Sequence, residues 1–309
     1  MAALTTALVL STYNGSAYIG VQLDSLRLQD RPFDEVLIGD DCSSDGTASY
    51  IEDYIRAYGL SNWVVAVNSQ NKGWKRNFRD LLFSVSSDLI FLCDQDDIWL
   101  PDKVSSMAGL MEEHPEFDVL ACDVEPFYEE GSKRVPNVGG GANDGTVSLH
   151  PLEEKAVYVL RPGCAYCVRK SFLDEILPYW IDSWAHDAVL WELAEAKGTL
   201  ALYDRRLVRF RRHGDNASAR KHLTRETRIN DIEHLIERVD AMRRFSADRD
   251  ILTEKSACLL DEIDGWLKAR VLLLTKRSFR GFWLSFKGRS HYATRKGILV
   301  DLSLAFMRG

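Results

Sequence analysis

Asp94, Gln95, Asp96 and Asp97 place three carboxylates within four positions, directly after the apolar run Leu89-Ile90-Phe91-Leu92-Cys93. Like charges this close oppose one another's ionisation unless a cation or a donor sits among them. Carboxylate oxygens are hard ligands that suit Mg2+ or Mn2+, commonly shared with the phosphates of a substrate. The apolar run reads as a buried strand, and open α/β sheets place ligands beyond the carboxyl ends of their strands. A metal site is one reading. The other is an acidic helix N-terminus, with Asp96 or Asp97 capping a helix that starts near Pro101.

Two further acidic groups bear on that choice: Asp40-Asp41 and His186-Asp187. The elements that would position them alternate. Apolar strands are expected at residues 7–11, 35–39, 63–67 and 89–93, with helices after each, near 18–28, 46–58, 77–85 and 101–113. Strands separated by helices predict a parallel sheet with right-handed crossovers. Such a sheet gathers strand ends on one edge, where pooled acids without a cation would be costly. Helix caps explain any one acidic cluster but explain the set poorly. Further strands are expected at 119–122, 161–168 and 200–210, the last two bracketing a helix at 187–197. The Gly-rich stretch 129–150 reads as a mobile loop. From 220 onward the pattern is helical, with Ile229, Ile232, Leu235, Ile236, Val239 and Met242 on one stripe and a second helix at 252–274.

A chain of 309 residues, 46% hydrophobic and 28% charged, has an ordinary globular composition. No run approaches the roughly 20 apolar residues of a membrane span. The first residues carry no basic signal region, so a cytoplasmic protein is expected. Six scattered cysteines fit reduced thiols, and Cys164-Ala165-Tyr166-Cys167, a lone C-x-x-C, reads as buried strand rather than zinc site. The net charge of −7 conceals an asymmetry. Residues 266–309 hold ten Lys or Arg against one acid, Asp301.

The motifs Leu10-Ser11-Thr12-Tyr13-Asn14-Gly15, Asp40-Asp41-Cys42-Ser43-Ser44-Asp45-Gly46-Thr47, Asn71-Lys72-Gly73 and Cys93 through Lys103 follow in order. In these the chain resembles the family 2 glycosyltransferases of GT-A fold. Arg161-Pro162-Gly163-Cys164, His186-Asp187 and Arg211 through Asn216 resemble the subgroup containing rhamnosyltransferases. The resemblance covers residues 5–217. It implies a Rossmann-like, mostly parallel α/β sheet over residues 1–217, followed by a helical region, 218–309, with a basic amphipathic tail.

The same resemblance implies roles. Thr12 and Tyr13 would bracket the base and ribose, and Asp41 or Asp40 would hydrogen-bond the base. Lys72 or Arg76 would complete the base or phosphate pocket, with Asp94 and Gln95 beside the nucleotide sugar. Asp96 would ligate Mn2+ or Mg2+ bridging the diphosphate, with His213 as second ligand or phosphate donor. Asp187 would be the catalytic base of an inverting transfer, unless it merely caps its helix. Asp97, Trp99, Trp184 and His186 are candidates for sugar or acceptor contacts, the two tryptophans being equally readable as core.

Some positions depart from the family pattern. Cys42 stands where a glycine is usual, and His186 where many relatives carry glutamate. The Q-x-x-R-W motif of processive synthases is absent, which favours single-sugar addition. The expected donor is dTDP-rhamnose or a UDP-sugar, and the acceptor a saccharide or lipid-linked glycan in bacterial surface polysaccharide assembly. A UDP-hexose transferase and a catalytically silent sugar-nucleotide-binding or membrane-scaffold protein are the alternatives. The tail, where Leu272-Leu273-Leu274, Phe279, Phe282-Trp283-Leu284 and Phe286 interleave with Lys276, Arg277, Arg280, Lys287 and Arg289, suits an anionic membrane surface. A helix packed on its own domain is the competing reading. Nucleic acid is not expected, because the body is acidic and lacks a binding motif.

Overall fold

Seven consecutive buried residues, Thr6–Thr12, form β1, the strand on which the sheet is organised. The computed structural model describes residues 3–129, 139–213 and 223–306. β1 pairs in parallel with β2 (Glu35–Asp40) on one side and β4 (Leu89–Cys93) on the other, and β2 pairs with β3 (Trp63–Val67). Helices α1 (Ile19–Arg27), α2 (Thr47–Tyr58) and α3 (Trp74–Ser84) make the crossovers. All five residues of β4 are buried, as expected of a strand covered on both faces. Register does the positioning. Thr12 lies opposite Asp40 and Leu10 opposite Cys93, so the loops after β1, β2 and β4 leave from one edge.

β5 (Ile98–Trp99) and α4 (Lys103–Glu113) come next, then β6 (Val119–Tyr128), β7 (Val147–Leu149), β8 (Tyr166–Arg169), α5 (Lys170–Ile176), α6 (His186–Lys197) and β9 (Leu200–Arg212). The strand order is β3-β2-β1-β4-β8-β6-β9-β5, with β7 also on β9. β8 runs antiparallel between β4 and β6, and β9 is parallel to β6. β1, β2, β3, β4, β6 and β9 thus point one way, while β5, β7 and β8 oppose them.

Three local expectations need correction. Residues 161–168 are not one strand: a 3-10 turn, Gly163–Ala165, precedes β8. Residues 98–99 pair with β9 before α4 begins at Lys103, so neither Asp96 nor Asp97 caps a helix. The Gly-rich stretch is pinned rather than loose over its described part. Gly140 and Gly141 donate backbone N–H to Asp123 at 3.2 and 3.0 Å, and Ala142 and Asn143 donate to Asp204. Residues 130–138 of that stretch, and the Gly214-Asp215-Asn216 motif, lie outside the described residues.

Two compact units emerge. One comprises Met1–His150, Leu160–Ala194 and Thr199–Asn216; the other comprises Pro151–Val159, Glu195–Gly198 and Ala217–Gly309. The second holds α7 (Arg225–Asp248), α8 (Glu254–Lys276), α9 (Phe279–Lys287) and α10 (Gly297–Phe306). Thr224, Thr253 and Ser278 cap the first three through their hydroxyls. Its core carries one charged knot. Asp301, fully buried, takes Arg270 Nε at 2.7 Å, Arg228 Nε at 2.8 Å and the Tyr292 hydroxyl at 2.8 Å. No described helix is long and apolar enough to cross a membrane. All six cysteines are free; Cys93, Cys122, Cys164 and Cys167 are buried, Cys42 and Cys258 exposed.

Candidate active site

The loop after β2 is stitched to the loop after β1 by carboxylates. Asp40, with no exposure, accepts from the Thr12 hydroxyl at 2.9 Å and from the Ser43 amide and hydroxyl at 2.8 and 2.6 Å. Asp41 accepts from Lys72 N, Gly73 N and Asn68 Nδ2 at 2.8, 2.8 and 3.0 Å. A carboxylate offers about four acceptor sites, so Asp41 retains one at most. Asp45 takes Ser16 N at 3.0 Å and the Thr47 hydroxyl at 2.5 Å.

Thr12 and Asp40, both expected near the nucleotide, spend their side-chain oxygens on each other and, for Asp40, on Ser43, and both are enclosed. Gln95 is a clasp: its Oε1 accepts from Tyr13 N at 2.9 Å, and its Nε2 donates to Tyr13 O at 3.1 Å. The Tyr13 ring is left exposed at 47%. Lys72 pairs with Asp80 at 3.1 Å, while Arg76 is exposed on the first turn of α3.

At the end of β4, Asp96 Oδ2 lies 2.7 Å from His213 Nε2, joining residues 117 apart in the chain. Their side chains are only 14% and 8% exposed. Arg211 locks the turn: its amide donates to Asp97 Oδ1 at 2.9 Å, its Nε to Asp96 O at 2.7 Å, and its guanidinium pairs with Glu129 at 3.0 Å. Tyr18 packs against His213, the rings tilted with centroids 4.7 Å apart, and donates its hydroxyl to Glu129.

The electrostatics are those of acids held together. Burial raises the Asp94 carboxyl well above its usual range, and the charges of Asp97, Asp96 and Asp187 raise it further. Burial, then Asp96, lifts Asp97 to about 7. Asp187 sits in the first turn of α6, where a helix N-terminus favours an acid. The helix packs close to the 3-10 turn: a Cβ on Gly163 would lie 2.4 Å from His186 Nε2 and 3.4 Å from Asp187 Cβ. An imidazole nitrogen and a carboxylate 2.7 Å apart, beside the further carboxylates Asp94 and Asp97, form a donor set that fits a divalent cation.

Ligand atoms of Asp94, Asp97 and Cys164 also lie within 4.8 Å of one another. Burial, then Asp97 and Asp94, pushes the Cys164 thiol well up, so it stays protonated and is no ligand for a hard ion. Beneath them lies Lys103, fully buried, its Nζ donating to Cys164 O at 2.5 Å and standing 3.1 Å above the Trp99 ring.

Three candidates for sugar or acceptor contacts are enclosed. Trp99, 2% exposed, packs with Phe33 and Phe91; Trp184 is 4% exposed. His186 is sandwiched against Phe78 at 4.0 Å and Trp74 at 5.8 Å. Aromatic bulk gains more from core burial than from an open site. Trp74, exposed at 39%, is the aromatic left facing outward.

Residues 7–176 match the family model for Glycosyl transferase family 2. The dTDP-rhamnosyl transferase RfbG of Shigella flexneri is 28% identical over 222 residues, 67% of this chain and 72% of RfbG. An uncharacterized protein of Mycobacterium tuberculosis is 33% identical over 129 residues; that match spans 41% of this chain and only 37% of the relative. Staphylococcus aureus TarS residues 1–349, solved with UDP, superimposes with a TM-score of 0.64 at 16% identity, covering 98% of this chain and 88% of that one. A mannosyltransferase from Pyrobaculum calidifontis, solved with GDP-Man and Mn2+, gives 0.54 at 16% identity over 99% and 85%.

Proposed function

The chain belongs to glycosyl transferase family 2, and we propose that it is a metal-dependent inverting transferase. It moves a sugar, rhamnose by preference, from a nucleoside diphosphate donor to a saccharide or lipid-linked acceptor in bacterial surface polysaccharide synthesis, at the cytoplasmic membrane. The single observation carrying this reading is the Asp96–His213 contact at 2.7 Å, on the same strand end as Asp94 and near Asp187. The relation to RfbG supports rhamnose; a UDP-hexose is the competing donor.

In this reading Asp96 and His213 would hold Mn2+ or Mg2+, which neutralises charge developing on the departing diphosphate. The exposed Tyr13 ring stacks on the base, and the remaining acceptor site of Asp41 faces it. Arg76 reaches the phosphates, and Asp94 the ribose. Asp187 accepts the proton of the acceptor hydroxyl as its oxygen bonds to the anomeric carbon, on the face opposite the leaving nucleoside diphosphate. That displacement inverts the anomeric centre.

A panel of nucleotide sugars, assayed for Mn2+-dependent binding and hydrolysis, tests the donor. Asp96→Ala and His213→Ala should each weaken Mn2+-dependent donor binding at least about tenfold, since losing even a group that only orients a metal ligand costs about that much. Unchanged affinity in both refutes the ligand pair. Asp187→Asn should bind donor normally and lose about 100-fold or more in transfer. Normal turnover in that variant removes Asp187 as base.

A further inference from the structure

The helix α9 is built inside out. Its residues nearest α8 are small: Gly281 is buried, and a Cβ there would meet Leu273 N at 2.6 Å and Ala269 O at 2.9 Å, while Ser285, one turn on, is fully buried. Phe279, Trp283 and Phe286, spaced i, i+4 and i+7, occupy the opposite face. They are 79%, 48% and 40% exposed. A surface helix normally turns its large apolar side chains inward. Here the glycine contact fixes the rotation of α9, so the aromatic stripe faces outward.

Positive charge borders this stripe. Lys276, Arg277, Arg280, Lys287 and Arg289 are exposed, and none forms an ion pair among the described residues. Lys287 stands 5.7 Å over the Trp283 ring and Arg289 5.0 Å over Phe286. The one acid of the region, Asp301, is consumed by Arg270 and Arg228 in the core, so no acid offsets these charges. Long basic side chains beside an aromatic stripe can reach headgroups while the rings enter the acyl boundary.

We propose that α9 is an interfacial helix that lies flat on an anionic lipid surface, inserting Phe279, Trp283 and Phe286 while the five flanking cations contact headgroup phosphates. A lipid surface fits better than a protein partner, because exposed aromatic rings lie directly beside cations that have no ion-pair partner among the described residues, the pairing an anionic headgroup layer over acyl chains would satisfy. This docking rests on the membrane location given in the proposed function and assigns it a surface; vesicle binding is read without any transfer assay, so its failure is distinguishable from failure of the proposed activity.

Co-sedimentation of the full chain with phosphatidylcholine vesicles, with and without phosphatidylglycerol, tests it. The protein should pellet with the anionic vesicles and remain in solution with the neutral ones. Replacing Phe279, Trp283 and Phe286 together by Ser should abolish pelleting while the chain keeps a cooperative thermal transition, since all three side chains lie on the exposed face of α9 and none is in the core. Each of Arg280→Gln and Lys287→Gln should weaken partitioning about fivefold. Equal pelleting of parent and triple variant overturns the proposal, as does a parent chain that ignores anionic vesicles. A parent that sediments as a dimer, with the triple variant monomeric and neither binding vesicles, overturns it in favour of a second copy on this face.

Discussion

Cys42 sits in the left-handed region at φ 67°, between the two residues whose neighbours hold the loop after β2 in place. A side chain there costs about 1–2 kcal/mol, because its Cβ crowds the following carbonyl. Glycine would remove that strain while adding about 0.4–1 kcal/mol of unfolded-state entropy. Cys42→Gly should therefore raise stability by about 0.5 kcal/mol in urea unfolding, and Cys42→Val should lower it by about 1 kcal/mol or more. The sequence showed that a residue other than glycine stood at this turn, and the strain follows from it. It did not show how the two adjacent acids are partnered. Asp40 and Asp41 are neighbours of the same type, and only the loop contacts reveal that Asp40 is enclosed by Thr12 and Ser43. Lys103 was more legible than it looked: it falls on the buried stripe of α4 with Val104, Met107, Ala108 and Met111. A lysine among such neighbours is a signal of a buried charge.

Among the elements, the turn Gly163–Ala165 and the first turn of α6 are held at close quarters by a single missing methyl group. Gly163→Ala drives a Cβ to 2.4 Å from His186 Nε2. His186 is flanked by Phe78 and Trp74, so relief of this contact presses the ring against them and displaces the first turn of α6, which carries Asp187. Overpacking of this kind costs about 1–3 kcal/mol. Transfer rate should fall in this variant while Mn2+-dependent nucleotide affinity is retained, because Asp96 and His213 lie on other elements. Equal loss of both would place the damage in the whole fold. The long elements here were readable because apolar periodicity persists over them: β1, β2, β4 and the α7 stripe all sit within a few residues of expectation. β5 and β7, two and three residues long, carry no period to read. Their strand character comes from β9 alongside them, which local sequence does not encode.

At the scale of the molecule, the two compact units interleave along the chain, the second taking up Pro151–Val159 and Glu195–Gly198. Neither segment has a composition that separates it from its neighbours, so these two excursions are not legible in the sequence. The cysteines follow the same division in a way that has a practical consequence. Burial raises the thiols of Cys93, Cys122, Cys164 and Cys167, which leaves each of them protonated and unreactive at neutral pH. Cys42 belongs to one unit and Cys258 to the other, and both are open to solvent. Titrated natively with a chromogenic disulfide reagent, the chain should consume two equivalents rapidly and the full six, the total in the sequence, only after denaturation. A nucleoside diphosphate added beforehand should slow one of those two equivalents, at Cys42, and leave the other untouched. With the donor placed as proposed, a fluorophore coupled at that position would report its arrival optically, whichever sugar the donor carries.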